Sequence, residues 1–389
     1  MKKTSSDPND LICMIVPSFD RIGGYELQAF SLSKAYQHFG RKTFILTTHT
    51  PGLPHFEIKE EVEIHRLPRL VEKYRLLLPL YFSYLFKKFK KPPSLFHCHA
   101  ISSFTENILQ INQHLKIPAV LKVATQGDVS RLHSELLANE IQGPIRKRIY
   151  EQMTFLSINA HIQQELLDFN IRREKIFSIP NGVDTTRFSP PTPQEKIELK
   201  KELGFHLKEN LITFTGRFEE RKRVKDLIHA WANIEKGYPQ HHLLLVGDGE
   251  ERRLYEHLCF QLNISKRVTF LGLSKCVEKV LKISDLFVFP SRLEGLPNVI
   301  LEAMATGLPI LSTNIPGINE VIEHKKTGYL VPPQASSELI AGLHHLLQHP
   351  EQTKQLGIAA REQILSTYCF KKIAPSLFDL YTRLEFVRE

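Results

Sequence analysis

Residues 286–305 read LFVFPSRLEGLPNVILEAMA. The apolar run Leu286–Phe289 predicts a buried strand, and Asn298–Ala305 predicts a helix. Gly295 permits a tight turn between them, and Pro297 suits the first turn of a helix. A strand, a glycine turn and a helix in this order are typical of a doubly wound α/β domain.

The same order of elements recurs along the whole chain. Leu11–Val16 predicts a first strand, and the Gly23-Gly24 pair after it opens a helical pattern. A further helix is predicted from Val224. The other predicted strands are 43–47, 63–67, 94–97, 119–123, 155–158, 176–179, 211–214, 242–246, 268–271 and 309–312. Alternation of this kind favours parallel sheets with helices on both faces.

The length and one proline-rich stretch predict the domain organisation. A chain of 389 residues is long for one core and suits two domains. Three prolines within Ser189–Pro193 fit neither a sheet nor a helix interior and predict a linker. We therefore predict a first domain over 1–188 and a second over 189–368. The apolar repeat of 369–389 predicts a C-terminal helix that packs back on the first domain.

The composition is that of an ordinary globular protein, with 42% hydrophobic and 24% charged residues. The five cysteines are odd in number and show no CxxC spacing, which favours a reducing compartment. Met1–Asp10 lacks the apolar core of a secretory signal, and no apolar run is long enough to span a bilayer. These features predict a cytoplasmic protein.

Much of the positive charge is concentrated in residues 65–91, where eight bases accompany one acid, Glu72. The bases are Arg66, Arg69, Lys73, Arg75, Lys87, Lys88, Lys90 and Lys91. An aromatic and aliphatic stretch lies between them. One interpretation is a peripheral docking site for an anionic membrane surface. The other is an amphipathic core helix with basic flanks, interrupted by Pro79. A nucleic-acid partner is not predicted.

Glu294 and Glu302 stand at the two ends of the turn-and-helix segment. At 3.6 residues per turn, Glu302 is expected about two turns into the helix, where the two carboxylates could bracket one hydroxyl-bearing ligand. The backbone N–H groups of Leu296, Asn298 and Val299 would face an anion there. Alternatively, Glu294 is a first-turn acid favoured by the helix dipole, and Glu302 is exposed on the helix surface.

Two further loops follow predicted strands of the second domain. Arg217 and Lys222 lie in a basic loop that could hold a diphosphate, although such a loop is often only solvated surface. Gly247 lies in a glycine turn at the carboxyl end of a strand, where open α/β sheets bind ligands. The turn lacks the full dinucleotide fingerprint, so nicotinamide binding is not supported.

Taken together, these motifs resemble those of the retaining glycosyltransferases of family 4. The matching motifs, which occur in the family's order, are Gly23-Gly24, His99, Ile179–Asp184 (Ile-Pro-Asn-Gly-Val-Asp), Gly216-Arg217 with Lys222, and Glu294 to Glu302. The resemblance spans nearly the whole chain, and the joint match is far more specific than any single motif.

The resemblance implies a GT-B fold, in which two Rossmann-like domains face each other across a cleft and a C-terminal helix crosses back to the first. It implies a metal-independent hexosyltransferase that retains anomeric configuration and needs no cofactor beyond its nucleotide-sugar substrate. A UDP-sugar is the preferred candidate for the donor, and a GDP-sugar is the second candidate. The implied acceptor is a saccharide or a lipid-linked acceptor, in the synthesis of cell-envelope glycans such as polysaccharide or lipopolysaccharide, or of glycolipids.

The resemblance also implies residue roles. Glu302 would bond the donor ribose, Arg217 and Lys222 the diphosphate. Glu294 would address the hydroxyls of the sugar. His99 and the Gly23-Gly24 loop would close on the sugar from the first domain. The other residues implied in donor binding are Gly247, Gly295, Leu296, Asn298 and Val299.

Four positions remain open or depart from the family pattern. Arg223 stands where the family usually has glycine. His97 could replace His99 as the functional histidine, although its place at a strand end favours a buried core residue. Asp128 and Asn181 are candidates for acceptor or sugar contacts, and a surface-turn role explains Asp128 equally well.

Two rival functions are considered. Non-hydrolysing nucleotide-sugar epimerases share the GT-B fold but need acid and base groups at the sugar and no acceptor. A non-catalytic GT-B scaffold is the second rival, and the intact set of Arg217, Lys222, Glu294 and Glu302 argues against it.

Overall fold

The computed structural model describes residues 11–20, 23–138 and 143–386. The chain forms two compact units, one of Met1–Asn181 with Phe370–Glu389 and the other of Gly182–Cys369. The sequence placed the corresponding boundaries at 188 and 368. Each unit is a mainly parallel sheet with helices, so the predicted α/β class is confirmed.

The strands of both units are short and mostly buried. Those of the first are β1 (Leu11–Val16), β2 (Lys42–Thr47), β3 (Phe56–Lys59), β4 (Val62–Arg66), β5 (Leu95–Cys98), β6 (Ala119–Val123), β7 (Thr154–Ser157) and β8 (Ile176–Ser178). Those of the second are β9 (Asn210–Thr215), β10 (His241–Val246), β11 (Val268–Gly272), β12 (Leu286–Phe289), β13 (Ile310–Thr313) and β14 (Tyr329–Val331).

Helices alternate with these strands in both units. They are α1 (Gly24–His38), α2 (Arg69–Lys73), α3 (Leu78–Lys88), α4 (Ser103–Leu115), α5 (Asp128–Ala138), α6 (Gly143–Gln152), α7 (Ala160–Asp168), α8 (Pro193–Glu202), α9 (Val224–Ile234), α10 (Arg252–Gln261), α11 (Val277–Ile283), α12 (Asn298–Ala305), α13 (Ser336–Gln348), α14 (Pro350–Gln363) and α15 (Phe370–Phe386). Short 3₁₀ turns lie at Arg75–Leu77, Arg173–Lys175, Glu220–Lys222, Glu235–Gly237 and Ser265–Arg267, and a π-helical turn lies at Ile364–Tyr368.

Strand order places a topological switch in each sheet. The first sheet runs β3-β4-β2-β1-β5-β6-β7-β8, and only the β3–β4 pair is antiparallel. The second runs β11-β10-β9-β12-β13-β14 and is parallel throughout. The direction in which successive strands are added across the sheet therefore reverses between β1 and β5 and between β9 and β12. In open α/β sheets, ligands bind at the carboxyl ends of strands at such points.

The C-terminal helix α15 belongs to the core of the first unit. Its apolar face buries Ile373, Leu377 and Leu380 in one cluster with β1 and with Tyr36 of α1. The hydroxyl of Tyr381 lies 2.5 Å from Nδ1 of His97 on the central strand β5. The helical repeat in 373–386 therefore covers a face of the first sheet.

The proline-rich stretch is partly helical. Thr192 Oγ1 accepts a hydrogen bond from Glu195 N at 3.1 Å, and Pro193 is the first residue of α8. A threonine cap followed by a first-turn proline is a favourable helix start. Among the described residues, no helix is long and apolar enough to cross a bilayer.

Candidate functional site

The loops that follow β9 and β12 meet at the switch point of the second unit. Arg292 N donates a hydrogen bond to Arg221 O at 2.9 Å, and Ser291 Oγ donates to the same oxygen at 3.1 Å. These bonds connect loops that are about seventy residues apart in sequence. The predicted basic loop and the predicted Glu294 turn are therefore brought together.

Glu294 lies at the centre of this junction. The residue is only 6% exposed, and its carboxylate makes three polar contacts. Lys222 Nζ and Ser291 Oγ each donate to Oε1 at 2.6 Å. Arg221 Nη1 lies 3.3 Å from Oε2. Burial lowers the pKa of Lys222, and the negative charge of Glu294 opposes that shift. The result is a buried ion pair that fixes both side chains before any ligand binds.

Glu302 is buried on α12 and contrasts with Glu294. Its carboxylate forms no hydrogen bond or ion pair with the described residues. Burial raises its pKa to about 7, and the nearby charge of Arg187 opposes that shift. Arg187 itself is bonded to Glu278 at 2.8 Å. The oxygens of this carboxylate are not among the enclosed side-chain atoms that lack a hydrogen-bond partner, so they reach the protein surface, where a ligand can bond them.

These positions correct two expectations from the sequence. Glu302 is buried rather than exposed on the helix surface, and Glu294 lies before α12 rather than in its first turn. Glu302 is also only about one turn into α12, because residues 294–297 are not helical. The alternative of a first-turn acid at Glu294 and an exposed helix-surface residue at Glu302 is therefore wrong.

The glycines of the basic loop and of the next loop are required by backbone contact. Gly216 N donates to Val246 O at 3.0 Å, and Phe218 N donates to Asp248 O at 2.9 Å. Gly247 has φ 141°, and a Cβ there would lie 1.9 Å from the carbonyl oxygen of Gly216. Only glycine allows two loops to approach so closely.

Arg217 projects from this pair of loops with a largely exposed side chain, 69% accessible. Its Nε lies 3.2 Å from Oε1 of Glu219. It is therefore a solvated cation, unlike the buried Lys222.

Arg223, the residue that replaces the family's usual glycine, adopts a left-handed backbone with φ 55° at the start of α9. This conformation costs a non-glycine residue about 1 kcal/mol or more. A bond from its Nε to Asp226 Oδ2 at 2.8 Å holds the side chain away from the loop backbone. The departure therefore leaves a glycine-like loop shape in place.

The remaining predicted residues of the second unit lie where α12 begins. Gly295 and Leu296 precede the N-cap residue Pro297, and Asn298 and Val299 are the first two helical residues. No side chain caps the start of this helix. Anion binding by these backbone groups stays a prediction.

In the first unit, His97 lies on β5 and His99 directly follows it, and both are fully buried. Their rings stack with centroids 4.1 Å apart. His99 Nε2 lies 3.5 Å from the sulfur of Met14, and His97 bonds Tyr381. Burial holds the pKa of each histidine well below its ordinary value, so both are neutral near pH 7. Burial therefore does not distinguish His97 from His99.

The glycine pair after β1 begins α1. Gly23 is the N-cap residue and Gly24 is the first helical residue, whereas Arg21 and Ile22 lie outside the described residues. A Cβ on Gly23 would lie 2.5 Å from Oε2 of Glu26. That oxygen is the far end of a flexible side chain that can move aside, so the local space does not by itself require glycine.

Asp128 is the first residue of α5 and lies 3.1 Å from Arg131. Burial raises its pKa to about 6, with Arg131 opposing the shift. Asn181 is buried at the end of the first unit's main segment. A role for Asp128 and Asn181 in acceptor or sugar contacts stays a prediction.

Sequence reasoning missed four residues of these two regions. Ser291 and Arg221 flank the predicted motif residues, and only the fold shows that they contact Glu294. Arg187, whose charge acts on Glu302, lies more than a hundred positions away in sequence. In addition to burial, the charge of Lys122 lowers the pKa of both His97 and His99. The sequence could have indicated this residue, because it is a lysine within the apolar strand β6.

Comparison with known proteins places the chain in a family. The model of the glycosyl transferases group 1 matches residues 195–363, and that of Glycosyltransferase Family 4 matches 22–187. The N-acetyl-alpha-D-glucosaminyl L-malate synthase of Bacillus anthracis is 30% identical over 73% of this chain and 71% of its own length. An uncharacterized glycosyltransferase of Methanocaldococcus jannaschii is 28% identical over 60% of each chain.

The fold also matches solved structures. HepE of Anabaena, solved in complex with UDP-glucose, aligns with a TM-score of 0.77 at 19% identity, over 96% of this chain and 99% of that chain. At this identity the match speaks for the fold alone. The two Rossmann-like units thus have the GT-B fold that the sequence predicted, and the chain belongs to the group 1 glycosyltransferases of the family 4 type.

Proposed function

We propose that this protein transfers a hexose-type sugar from a nucleotide-diphosphate donor to a saccharide or lipid-linked acceptor in cell-envelope glycan or glycolipid synthesis. The observation that carries the proposal is the meeting of the two loops of the second unit. The buried Lys222–Glu294 pair there, and Glu302 without a hydrogen-bond partner among the described residues, are motif residues of a chain that belongs to the family. The Bacillus anthracis relative, by its name, also makes a glycosidic product.

In this proposal Glu302 binds the ribose of the donor. A carboxylate accepts hydrogen bonds readily from a vicinal diol, and this one has no partner among the described residues. Ribose hydroxyls would supply the missing donors and stabilise the ionised form of Glu302.

The diphosphate would be held by Arg217 and Lys222. Arg217 is exposed and offers a planar fork of donors, while Lys222 supplies a point charge fixed by Glu294. Lys222 Nζ has further protons to donate after its bond to Glu294, and Glu294 retains acceptor capacity for a hydroxyl of the sugar. The pair can therefore contact leaving group and sugar together.

We further propose that transfer retains the anomeric configuration without a metal. Fixed cations stabilise the diphosphate as the anomeric bond breaks, and the departing phosphate takes the proton of the attacking hydroxyl. In the first unit, His99, Asp128, Asn181 and the Gly23-Gly24 loop are the proposed contacts for sugar or acceptor. An inverted product would contradict this mechanism.

Uridine is the first choice of base, because the Anabaena structure of the same fold contains UDP-glucose. Guanosine is the second. A thermal-shift panel of UDP, GDP and ADP tests the donor class, since a ligand that binds the folded state raises the unfolding midpoint. The expected result is a rise with one nucleotide that is lost in Glu302→Gln. No rise with any of the three would contradict the proposed donor site.

A membrane surface is the proposed second partner of the first unit. Leu76, Leu80 and Tyr84 are spaced four residues apart along the turn and helix α3, and all three are exposed, Leu76 by 91%. The opposite face of α3 is buried through Phe82 and Leu85. The segment is thus a helix with one core face and one apolar outer face.

Exposed bases flank this outer face, among them Lys73 and Lys87. Arg66 is a correction to the predicted basic cluster, because it is buried and bonds Glu57 at 2.5 Å. Lys88 is partly engaged, with Nζ 3.3 Å from Glu63. Apolar side chains between bases are the pattern of an interfacial helix on anionic lipid.

Liposome flotation tests this surface. Vesicles with anionic lipid should float the wild type at low salt, and Leu80→Asp should weaken flotation because a charge enters the proposed contact. Leu254→Asp is the matched control, since Leu254 is an exposed leucine on α10 of the second unit. Equal flotation of Leu80→Asp and Leu254→Asp, or none of the wild type, would contradict the membrane proposal.

A further inference from the structure

Lys122 is a charged side chain within the sheet of the first unit. It lies on β6 among Val120, Leu121 and Val123, and it is only 7% exposed. It forms no hydrogen bond or ion pair with the described residues. Burial lowers its pKa to about 7. Its Nζ is not among the enclosed side-chain atoms that lack a hydrogen-bond partner, so a ligand can reach the ammonium, and an anion there would stabilise its charged form.

Strand register places Lys122 beside the histidine pair. His97 pairs with Val120 and Cys98 with Leu121, so Lys122 is next to the position of His99. Because side chains alternate along strands, His97, His99 and Lys122 share one face of the sheet. This face lies beside the β1–β5 switch point, where His99 N donates to Ile15 O at 2.9 Å.

The histidine pair has two buried nitrogens without a hydrogen-bond partner among the described residues, His97 Nε2 and His99 Nδ1. Gln126 Nε2, in the loop that follows β6, is buried and also lacks one. If the Tyr381 hydroxyl donates to His97 Nδ1, the proton of the neutral ring is on Nε2. His97 Nε2 and Gln126 Nε2 are then donors. If His99 Nε2 donates to the sulfur of Met14, His99 Nδ1 is an acceptor, so the available donors are Lys122 Nζ, His97 Nε2 and Gln126 Nε2.

Among the described residues, no acid forms an ion pair with Lys122. The titratable groups that face it are His97 and His99 of β5 and, through His97, Tyr381 of α15. β7, the neighbour of β6 on its other side, has no titratable side chain. The electrostatic partners of Asp128 are Arg131 and Glu165. An anion would supply both the missing charge and the missing acceptors.

We propose that Lys122, with His97 and Gln126, forms a binding site for an anionic group of the acceptor, a phosphate or a carboxylate. This inference rests on the proposed function and specifies its acceptor as negatively charged. Lys122 is the cation of the site, and the neutral donors around it fix the oxygens of the anion.

Sulfate is a suitable probe, because its charge is constant from pH 6 to pH 8.5. Its affinity is measured by calorimetric titration of the full chain at constant ionic strength, with saturating UDP present. Lys122 is charged in most molecules at pH 6 and in few at pH 8.5. Sulfate affinity should therefore fall about thirtyfold between these values.

Two variants isolate Lys122. Lys122→Met should remove the pH-dependent binding, and Lys122→Arg should keep binding but lose its pH dependence, because a guanidinium stays charged. Circular dichroism checks that each variant is folded. The pH dependence of sulfate affinity in the wild type tests the proposal even if a variant does not fold. Sulfate affinity that is independent of pH in the wild type, or unchanged in folded Lys122→Met, would overturn the proposal.

Further experiments distinguish this site from the donor site. Lys222→Met should lose UDP binding and keep the sulfate response. A wild-type sulfate response that UDP abolishes would assign the anion to the donor and overturn the inference. Failure of UDP to bind any form would instead count against the proposed donor site. Acetate replaces sulfate in a parallel series: stronger acetate binding assigns a carboxylate, stronger sulfate binding a phosphate, and binding of neither overturns the site.

Discussion

Glu302→Gln is expected to stabilise the protein above neutral pH. The carboxyl of Glu302 is buried and has a pKa of about 7, against an ordinary value of 4.5. Between these values the folded protein holds a proton that the unfolded chain has already released. The free energy of unfolding therefore falls as pH rises through this window, and the full penalty is present above pH 7.

The magnitude follows from the two pKa values. Their difference corresponds to about 3 kcal/mol of unfolding free energy. Glutamine is nearly isosteric with the protonated carboxyl, so it removes the penalty without leaving a cavity. Glu302→Gln should be about as stable as the wild type near pH 4.5 and about 3 kcal/mol more stable at pH 8.

Urea denaturation followed by tryptophan fluorescence measures this difference. Trp231, the single tryptophan of the chain, is buried in α9 and reports on the second unit. Glu294→Gln is the matched control. It should lose stability, because Lys222 and Arg221 lose the anion that they contact. A Glu302→Gln difference that does not grow with pH, or a loss of stability at pH 8, would refute the reasoning.

The same substitution should weaken nucleoside binding. A hydrogen bond to a charged group contributes about 1.5–3 kcal/mol, so the Kd for uridine should rise about ten- to hundredfold at pH 8. In the wild type, uridine should bind more tightly at pH 8 than at pH 6, because the ionised form of Glu302 accepts the ribose hydroxyls. Uridine affinity that is equal in both proteins would remove Glu302 from the donor site.

Two further predictions concern the loops of the second unit. Lys222→Met leaves buried Glu294 without its closest cation and should lower the free energy of unfolding by about 3–5 kcal/mol in the same assay; a loss under about 1 kcal/mol, as for an exposed pair, would contradict this. Gly247→Ala places a Cβ 1.9 Å from Gly216 O and should cost about 2 kcal/mol or more. Gly237→Ala, in open space, should be near neutral, and equal effects would argue against the loop contact.

Much of the fold could be predicted because most of its strands are continuous apolar runs. The predicted bounds of β1, β6, β12 and the helix α12 match the structure. The two missed strands lack that signal. Phe56–Lys59 alternates between exposed and half-buried residues at a sheet edge, and Tyr329–Val331 has only three residues.

The site could be predicted only in part. Spacing along the chain identified Lys222, Glu294 and Glu302, but their contacts depend on β9 lying next to β12, which no local pattern specifies. The sequence assigned Lys222 to phosphate and Glu294 to sugar without indicating that they bond each other. The isolation of Lys122 has the same origin, since a missing partner is a property of the folded neighbourhood.

Incubation of the protein with a labelled nucleotide-sugar alone is the most direct test of glycosyl transfer. UDP-glucose and GDP-mannose, each labelled in the sugar, are supplied without acceptor. The account predicts slow release of free sugar and nucleoside diphosphate from one donor, because water replaces the acceptor, and loss of this release in Glu294→Ala. An epimerised nucleotide-sugar with no free sugar would contradict transfer and identify an epimerase.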